Sequence, residues 1–100
     1  MTDREQSSQS PATASQRLDK WLFFTRLFKS RALAQSAIEG GQVWINGKTA
    51  SKPSDTVRVG DRLIVRTGPR HRWLIVEGLG TRRGPAPEAQ TLYSETVEQT

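Results

Sequence analysis

The spacing of apolar residues predicts two amphipathic helices in the first half of the chain. Apolar side chains recur every three or four positions between residues 17 and 27, which is the period of one buried helix face. A second stretch follows Ser30, a residue type that caps helix N-termini, and it ends at Gly40-Gly41, where glycine accepts a left-handed backbone. The expected buried stripes are Leu18, Trp21, Leu22 and Thr25, then Leu33, Ala34, Ala37 and Ile38.

After Gly41 the apolar residues alternate with polar ones, which is typical of strands. Asn46-Gly47 is a tight-turn signal between two of them, and Gly68-Pro69 is a second turn. In the clearest strand Leu63 and Val65 share one face and Ile64 takes the other. The predicted strands are residues 43–45, 48–50, 56–59, 62–66 and 72–77, and a short C-terminal helix is predicted at 88–96.

These elements indicate an α+β fold in which two N-terminal helices pack on a small, mostly antiparallel sheet. Residues 1–15 are rich in Ser, Thr and Gln and have no large apolar residue except Met1, so we expect a disordered N-terminal tail. Residues 16–84 are predicted to form the domain. Residues 85–100 are predicted to form the short C-terminal helix and an acidic tail.

Positive charge is concentrated in the middle of the chain. The formal net charge is +5 over 100 residues. Residues 16–52 carry seven cations against two anions and residues 53–84 carry seven against three, whereas residues 85–100 carry three anions and no cation. Such clustering is the footprint of a polyanionic partner, above all nucleic acid. A merely solvated basic surface is the alternative.

No pattern of catalytic or metal-binding residues is present. The chain has no cysteine, His71 is its only histidine, and it lacks a Gly-rich phosphate loop ending in Lys-Ser/Thr. We expect His71 in an exposed turn, and Asp19 as a structural partner of a nearby arginine or backbone amide. The sequence thus predicts a protein without catalytic residues, bound metal or cofactor.

Export and membrane insertion are not indicated either. No apolar run approaches the roughly 18 residues that a membrane span needs, and the N-terminus lacks the apolar core of a signal peptide. We therefore expect a cytoplasmic protein with no membrane partner.

Basic side chains of the helix pair are the candidate nucleic-acid contacts, because the arginine fork matches phosphate oxygens. Helical spacing places Phe24 on the stripe of Arg17 and Lys20, where a base stacks on the ring or the ring belongs to the core; both possibilities are open. Trp21 and Trp44 are expected to pack inward. The candidate cations are Arg17, Lys20, Arg26, Lys29 and Arg31.

This first half resembles the RNA-binding domain first recognised in ribosomal protein S4, with its small alpha-L fold. The likeness extends through Trp73 to Pro85-Ala86-Pro87-Glu88-Ala89 and Leu92-Tyr93. Taken together, the chain is similar to a family of bacterial heat-shock proteins that associate with the ribosome. The motifs that carry it are Arg17-Leu18-Asp19-Lys20, Arg26, Ser30-Arg31-Ala32-Leu33-Ala34, Ile38-Glu39-Gly40-Gly41, Val43, Asn46-Gly47, Lys52-Pro53-Ser54 and Val57-Arg58-Val59-Gly60-Asp61.

The resemblance implies a non-enzymatic protein that binds ribosomal RNA on the large subunit. In such a role it recognises free large subunits that carry a blocked nascent chain and returns them to use under heat stress. We expect a monomer when free, with no small-molecule substrate. The family's RNA contacts match Arg17, Lys20, Arg31 and Gln35, with Lys48 and Lys52 in support.

One departure from the family concerns the end of the chain. Members of the heat-shock family continue into a long basic C-terminal extension, whereas this sequence ends at Thr100 in an acidic stretch. Weaker ribosome binding or a shifted role is therefore expected.

Two other functions remain open. Two helices with basic residues are also found in helix-turn-helix DNA-binding regulators. S4-type domains also serve as targeting modules of RNA-modifying enzymes, in which case a separate chain has to supply the catalytic domain.

Overall fold

The computed structural model describes residues 14–96. The predicted disordered tail therefore lies almost entirely outside the described residues, as do the last four residues of the predicted acidic tail. The helices are α1 Leu18–Phe24, α2 Arg31–Glu39 and α3 Ala86–Ala89, followed by the 3₁₀ turn Gln90–Leu92. The strands are β1 Gln16–Arg17, β2 Val43–Ile45, β3 Lys48–Thr49, β4 Thr56–Val57, β5 Arg62–Thr67, β6 Arg70–Val76 and β7 Tyr93–Thr96.

Five strands form one antiparallel sheet in the order β3-β2-β5-β6-β7, and β1 pairs separately with β4. Asn46 and Gly47 join β2 to β3 with positive φ angles of 51° and 88°. This is the two-residue hairpin turn that matches the natural twist of strands. The predicted α+β arrangement of two helices on a mostly antiparallel sheet is confirmed.

The core lies between the helix pair and one face of the five-stranded sheet. The predicted stripe of α1 is buried throughout, and in α2 the predicted stripe is buried except for Leu33, which is exposed. The indole N–H of Trp21 donates to the carbonyl oxygen of Gly78 at 2.9 Å, and its ring meets that of Tyr93 edge-on with 6.4 Å between centroids. The sheet supplies Val43, Leu63, Val65, Leu74 and Val76.

Trp44 faces away from this core, so the prediction that it packs inward is wrong. Val43 is buried and Ile45 packs against the core, and successive side chains of a strand point to opposite faces. Trp44 is therefore turned to the outer face of the sheet, where it is half-buried. Because all three residues of β2 are apolar, alternation within the strand does not indicate which face is buried.

The C-terminal segment also differs from the prediction of a helix at 88–96. Helix α3 ends at Ala89, and after the 3₁₀ turn the chain becomes β7, with Tyr93 opposite Val76 and Thr96 opposite Trp73. The physical reason is the free edge of β6, whose unpaired N–H and C=O groups accept another strand. Pairing with β6 outweighs the local helix preference of this segment.

Candidate nucleic-acid interface

Asp19 lies in the first turn of α1, and its side chain is fully buried. The turn is held by the loop after β3, because the N–H of Leu18 donates to the carbonyl oxygen of Asp55 at 2.7 Å and the N–H of Asp19 to that of Pro53 at 3.2 Å. These bonds satisfy backbone donors that the start of a helix otherwise leaves free. They also bring Lys52, next to Pro53 in the chain, to the start of α1.

The Asp19 carboxylate gathers donors from both helices. Arg17 donates to it twice, from Nε to Oδ1 at 3.1 Å and from Nη2 to Oδ2 at 3.0 Å. Oδ2 also accepts from Arg31 Nη2 at 3.1 Å and from Gln35 Nε2 at 2.8 Å. The backbone N–H of Lys20 donates to Oδ1 at 2.8 Å. We call Asp19, Arg17, Arg31 and Gln35 the Asp19 cluster.

These contacts keep the carboxylate charged in spite of its burial. Burial by itself raises the pKa of Asp19, but hydrogen bonds from Arg17, Gln35 and Arg31, together with the charge of Arg31, outweigh it and hold the pKa well below its usual range. The hydrogen bond to Asp19 and the negative charge of Asp19 in turn raise the pKa of Arg17. The sequence-based expectation that Asp19 is a partner of nearby arginines and a backbone amide is confirmed.

The two arginines of the cluster keep part of their side chains accessible. The side chain of Arg17 is 47% exposed and that of Arg31 is 40% exposed. Arg31 is the first residue of α2, whose N-terminus is capped by Ser30 Oγ accepting from the N–H of Leu33 at 3.1 Å. A helix N-terminus favours anions through its free N–H groups and its dipole, so Arg31 lies where two features attract a phosphate.

Four lysines that were predicted to contact RNA are exposed. Within residues 14–96 none of their ammonium groups makes a hydrogen bond or an ion pair, which leaves their charges available to a partner. Lys48 and Thr56 line one shallow concavity, and Thr56 pairs with Arg17 across β1 and β4, so this concavity connects Lys48 to the cluster. The lysines are Lys20, Lys29, Lys48 and Lys52.

Two predicted contact residues lie at the far end of α1 and take structural roles. Phe24 is buried and approaches Gly80 so closely that a Cβ on that glycine would come within 2.9 Å of the ring. A base cannot stack on Phe24, so that prediction is wrong and the core alternative holds. Arg26 has a φ of 65°, which ends the helix before the predicted residue 27, and its Nε donates to the carbonyl oxygen of Gly84 at 2.7 Å.

The arginines of the loop before α3 are tied down rather than free. Arg82 Nη2 pairs with Glu88 Oε1 at 2.7 Å. Arg83 lies 4.8 Å from the centroid of the Phe23 ring and donates from Nε to the carbonyl oxygen of Phe23 at 3.3 Å. The sequence pattern did not predict the tether of Arg83, because Phe23 lies 60 positions earlier in the chain.

Other kinds of site find no support in the described part of the chain. Within residues 14–96 no three His, Asp or Glu side chains come together to hold a metal ion. No helix in this range is long and apolar enough to cross a membrane. His71, expected in the turn, is exposed on β6 next to that turn.

Comparison with known proteins gives the class of this fold and site. The family model of the S4 domain matches residues 16–63, which contain the Asp19 cluster. The chain is 49% identical to heat shock protein 15 of Escherichia coli over 82 residues, covering 82% of this chain and 61% of that protein. It is 38% identical to the RQC P-site tRNA stabilizing factor of Listeria innocua, covering 79% of this chain and 87% of that protein.

A solved structure agrees with these relatives. The chain resembles heat shock protein 15 of Vibrio cholerae, described as trimeric, with a TM-score of 0.77, 44% identity and 83% coverage of each chain. The protein therefore belongs to the S4-domain family that includes heat shock protein 15 and the RQC P-site tRNA stabilizing factors. It spans 61% of the length of the Escherichia coli relative.

Proposed function

We propose that this protein is a non-enzymatic RNA-binding protein that docks on ribosomal RNA of the large subunit through the Asp19 cluster and its surrounding lysines. The observation that carries the proposal is a buried carboxylate that fixes two arginines whose side chains are about half exposed. Exposed arginines without such a partner must be ordered when they bind, which costs side-chain entropy. Here that ordering is present before the RNA arrives.

The electrostatics of the surface suit folded RNA. Arg17 and Arg31 present donors in a planar arrangement that matches phosphate oxygens, and Lys20 and Lys52 add charge beside them. Phe24, the aromatic side chain predicted for this surface, is buried, so the surface offers no ring there for a base to stack on. It is therefore adapted to the backbone of structured RNA more than to unpaired bases.

The cellular role that we propose follows the named relatives. Heat shock protein 15 and the RQC P-site tRNA stabilizing factor are named for a stress response and for a tRNA on the ribosome. We infer that this protein acts in the cytoplasm on free large subunits that carry a blocked nascent chain, and helps to recycle them under heat stress. We also propose that it is monomeric when free.

Co-sedimentation with ribosomal particles tests this function. Purified protein is mixed with large subunits, small subunits or complete ribosomes and centrifuged through sucrose. We expect the protein in the large-subunit pellet, and we expect Arg31→Ala to reduce that fraction while the matched variant Arg82→Ala does not. Equal pelleting with small subunits would refute the target. Stronger competition by duplex DNA than by structured RNA would favour a DNA-binding regulator instead.

A further inference from the structure

The face of the five-stranded sheet that is turned away from the helices carries half-buried aromatic and apolar side chains. Trp44 lies opposite Ile64, and Ile64 lies opposite Trp73, so the three form a row across β2, β5 and β6. Two adjoining depressions open on this row and share Gly47, Ile64 and Trp73 in their linings. The row is accessible from outside and is separate from the Asp19 cluster.

Aromatic rings at this face lie on neighbouring strands. The rings of Trp44 and His71 are 5.8 Å apart between centroids and inclined by 48°, and Trp73 lines the same depression as both. Aromatic side chains on adjacent strands of an antiparallel sheet are a known platform for unpaired bases, because every base has a flat π-face.

The charged side chains at the outward positions of these strands are positive. Arg62 and Arg66 are two positions along β5 from Ile64 and therefore point to the same face. Within the five strands of this sheet no outward position carries a carboxylate. Two carboxylates border the face just beyond the strand ends: Asp61 accepts from Asn46 Nδ2, and Glu77 accepts from Ser94 Oγ. Glu95 lies opposite Leu74 and therefore on the other face of the sheet, the one that packs against the helices. It forms an ion pair with Arg72 at 2.7 Å. The face is thus complementary to a polyanion.

We propose that this outer face binds a short stretch of single-stranded RNA, with bases on Trp44 and Trp73 and phosphates at Arg62 and Arg66. The choice of RNA rests on the proposed function, in which the Asp19 cluster holds a folded RNA on the other side of the molecule. A second copy of the chain is disfavoured as the occupant, because pairing two such faces brings their arginines together in a chain of net charge +5.

The three tryptophans allow a direct test, since each indole N–H gives its own signal in a nitrogen–proton NMR spectrum. A short oligouridylate is added to the full chain. We expect the signals of Trp44 and Trp73 to shift, and that of Trp21 to stay in place because it is buried and bonded to Gly78. Binding without shifts at Trp44 and Trp73 would overturn the proposal.

Substitutions then separate the two surfaces. Trp44→Leu keeps an apolar side chain but removes the π-face, and we expect it to weaken oligouridylate binding roughly five- to 150-fold. Trp44→Phe should restore most of the affinity, and Val59→Ala, a change at an exposed apolar residue of the turn before β5, should have no effect. Circular dichroism checks that each variant is folded.

The same variants distinguish failure here from failure of the proposed function. Arg31→Ala should weaken binding to large subunits but not to oligouridylate, and Trp44→Leu should do the reverse. Light scattering then tests whether the protein self-associates through this face. If the parent self-associates and Trp44→Leu abolishes this, the face is an interface between copies and the RNA proposal is wrong.

Discussion

The arginines at the two ends of the domain form ion pairs of similar length but different character. Arg17 and Arg31 meet Asp19 at 3.0 and 3.1 Å, and Arg82 meets Glu88 at 2.7 Å. The shared carboxylate of Asp19 is wholly buried, whereas the side chain of Glu88 is 46% exposed. Exposed pairs contribute little to stability because water and salt screen them, so burial of the anion matters more here than the distance.

This difference also separates their functions. A buried carboxylate cannot be displaced by solvent, so it holds its arginines in place while their outer donors stay accessible. An exposed carboxylate only neutralises its arginine and competes with an incoming phosphate. We therefore propose phosphate binding at the Asp19 cluster, with Arg82 and Arg83 as tethers near the C-terminus.

The largest expected effect comes from Asp19→Asn. Removing the charge leaves two guanidinium groups around a neutral amide, which we expect to lower the free energy of unfolding by about 3 kcal/mol, the lower end for a broken buried pair because the arginines remain half-exposed. Urea denaturation measures it. The matched change Glu88→Gln should cost at most about 1 kcal/mol; similar costs for both would remove the distinction between the two ends.

RNA affinity should also depend more on the arginines of the Asp19 cluster than on Arg82. Arg31→Ala removes a charged donor beside a helix N-terminus, and we expect binding to large-subunit RNA to weaken by about 1.5–3 kcal/mol, or roughly tenfold or more. Arg82→Ala should have a much smaller effect. Filter binding measures the RNA affinity of both variants, after circular dichroism has shown that they are folded. A larger loss of affinity for Arg82→Ala than for Arg31→Ala would contradict an interface at the Asp19 cluster.

Acid should destabilise the protein in part through Asp19. Because its pKa is lower in the folded state, its contribution to stability is complete above the ordinary carboxyl value of about 3.9 and is lost as the pH falls below that value towards the folded-state pKa. The free energy of unfolding should then fall by up to about 1.4 kcal/mol per pH unit. Urea denaturation of the parent and of Asp19→Asn at several pH values in this range gives the two free energies of unfolding. If both fall equally with pH, Asp19 is not the source of the loss.

The smallest expected effect is a change in salt dependence. If Arg17 contacts a phosphate, Arg17→Ala releases one counterion fewer, and the slope of log affinity against log salt should flatten by about 0.7–0.9. Binding titrations over a range of potassium chloride concentrations give the slope. An unchanged slope would mean that Arg17 only supports Asp19 and does not touch RNA.

Features set by neighbouring residues could be predicted from the sequence. The Ser30 cap, the Asn46-Gly47 turn and the alternation around Ile64 depend on local geometry, and all three are confirmed. Arg31 and Gln35 are one helical turn apart, which is enough to place them together. Their contact with Asp19, which Arg17 shares, depends on how α1 packs against α2, and the sequence pattern does not give this packing.

Features set by distant contacts could not be predicted in this way. Phe24 is buried because the chain returns at Gly80, and β7 exists because β6 offers a free edge. Neither partner is visible from the local pattern of apolar residues. The direction of Trp44 has the same origin, since the position of the helices decides which face of the sheet is buried.

The long-range bonds of Trp21 have a consequence for the synthesis of the protein. Its indole N–H is satisfied by Gly78, 57 positions further along the chain, and its ring is covered by Tyr93. At translation rates of about 5–20 residues per second, the acceptor is made roughly 3–11 s after the tryptophan. Until then the segment that matches the S4 family model lacks part of its own core, and the nascent domain must remain incomplete on the ribosome.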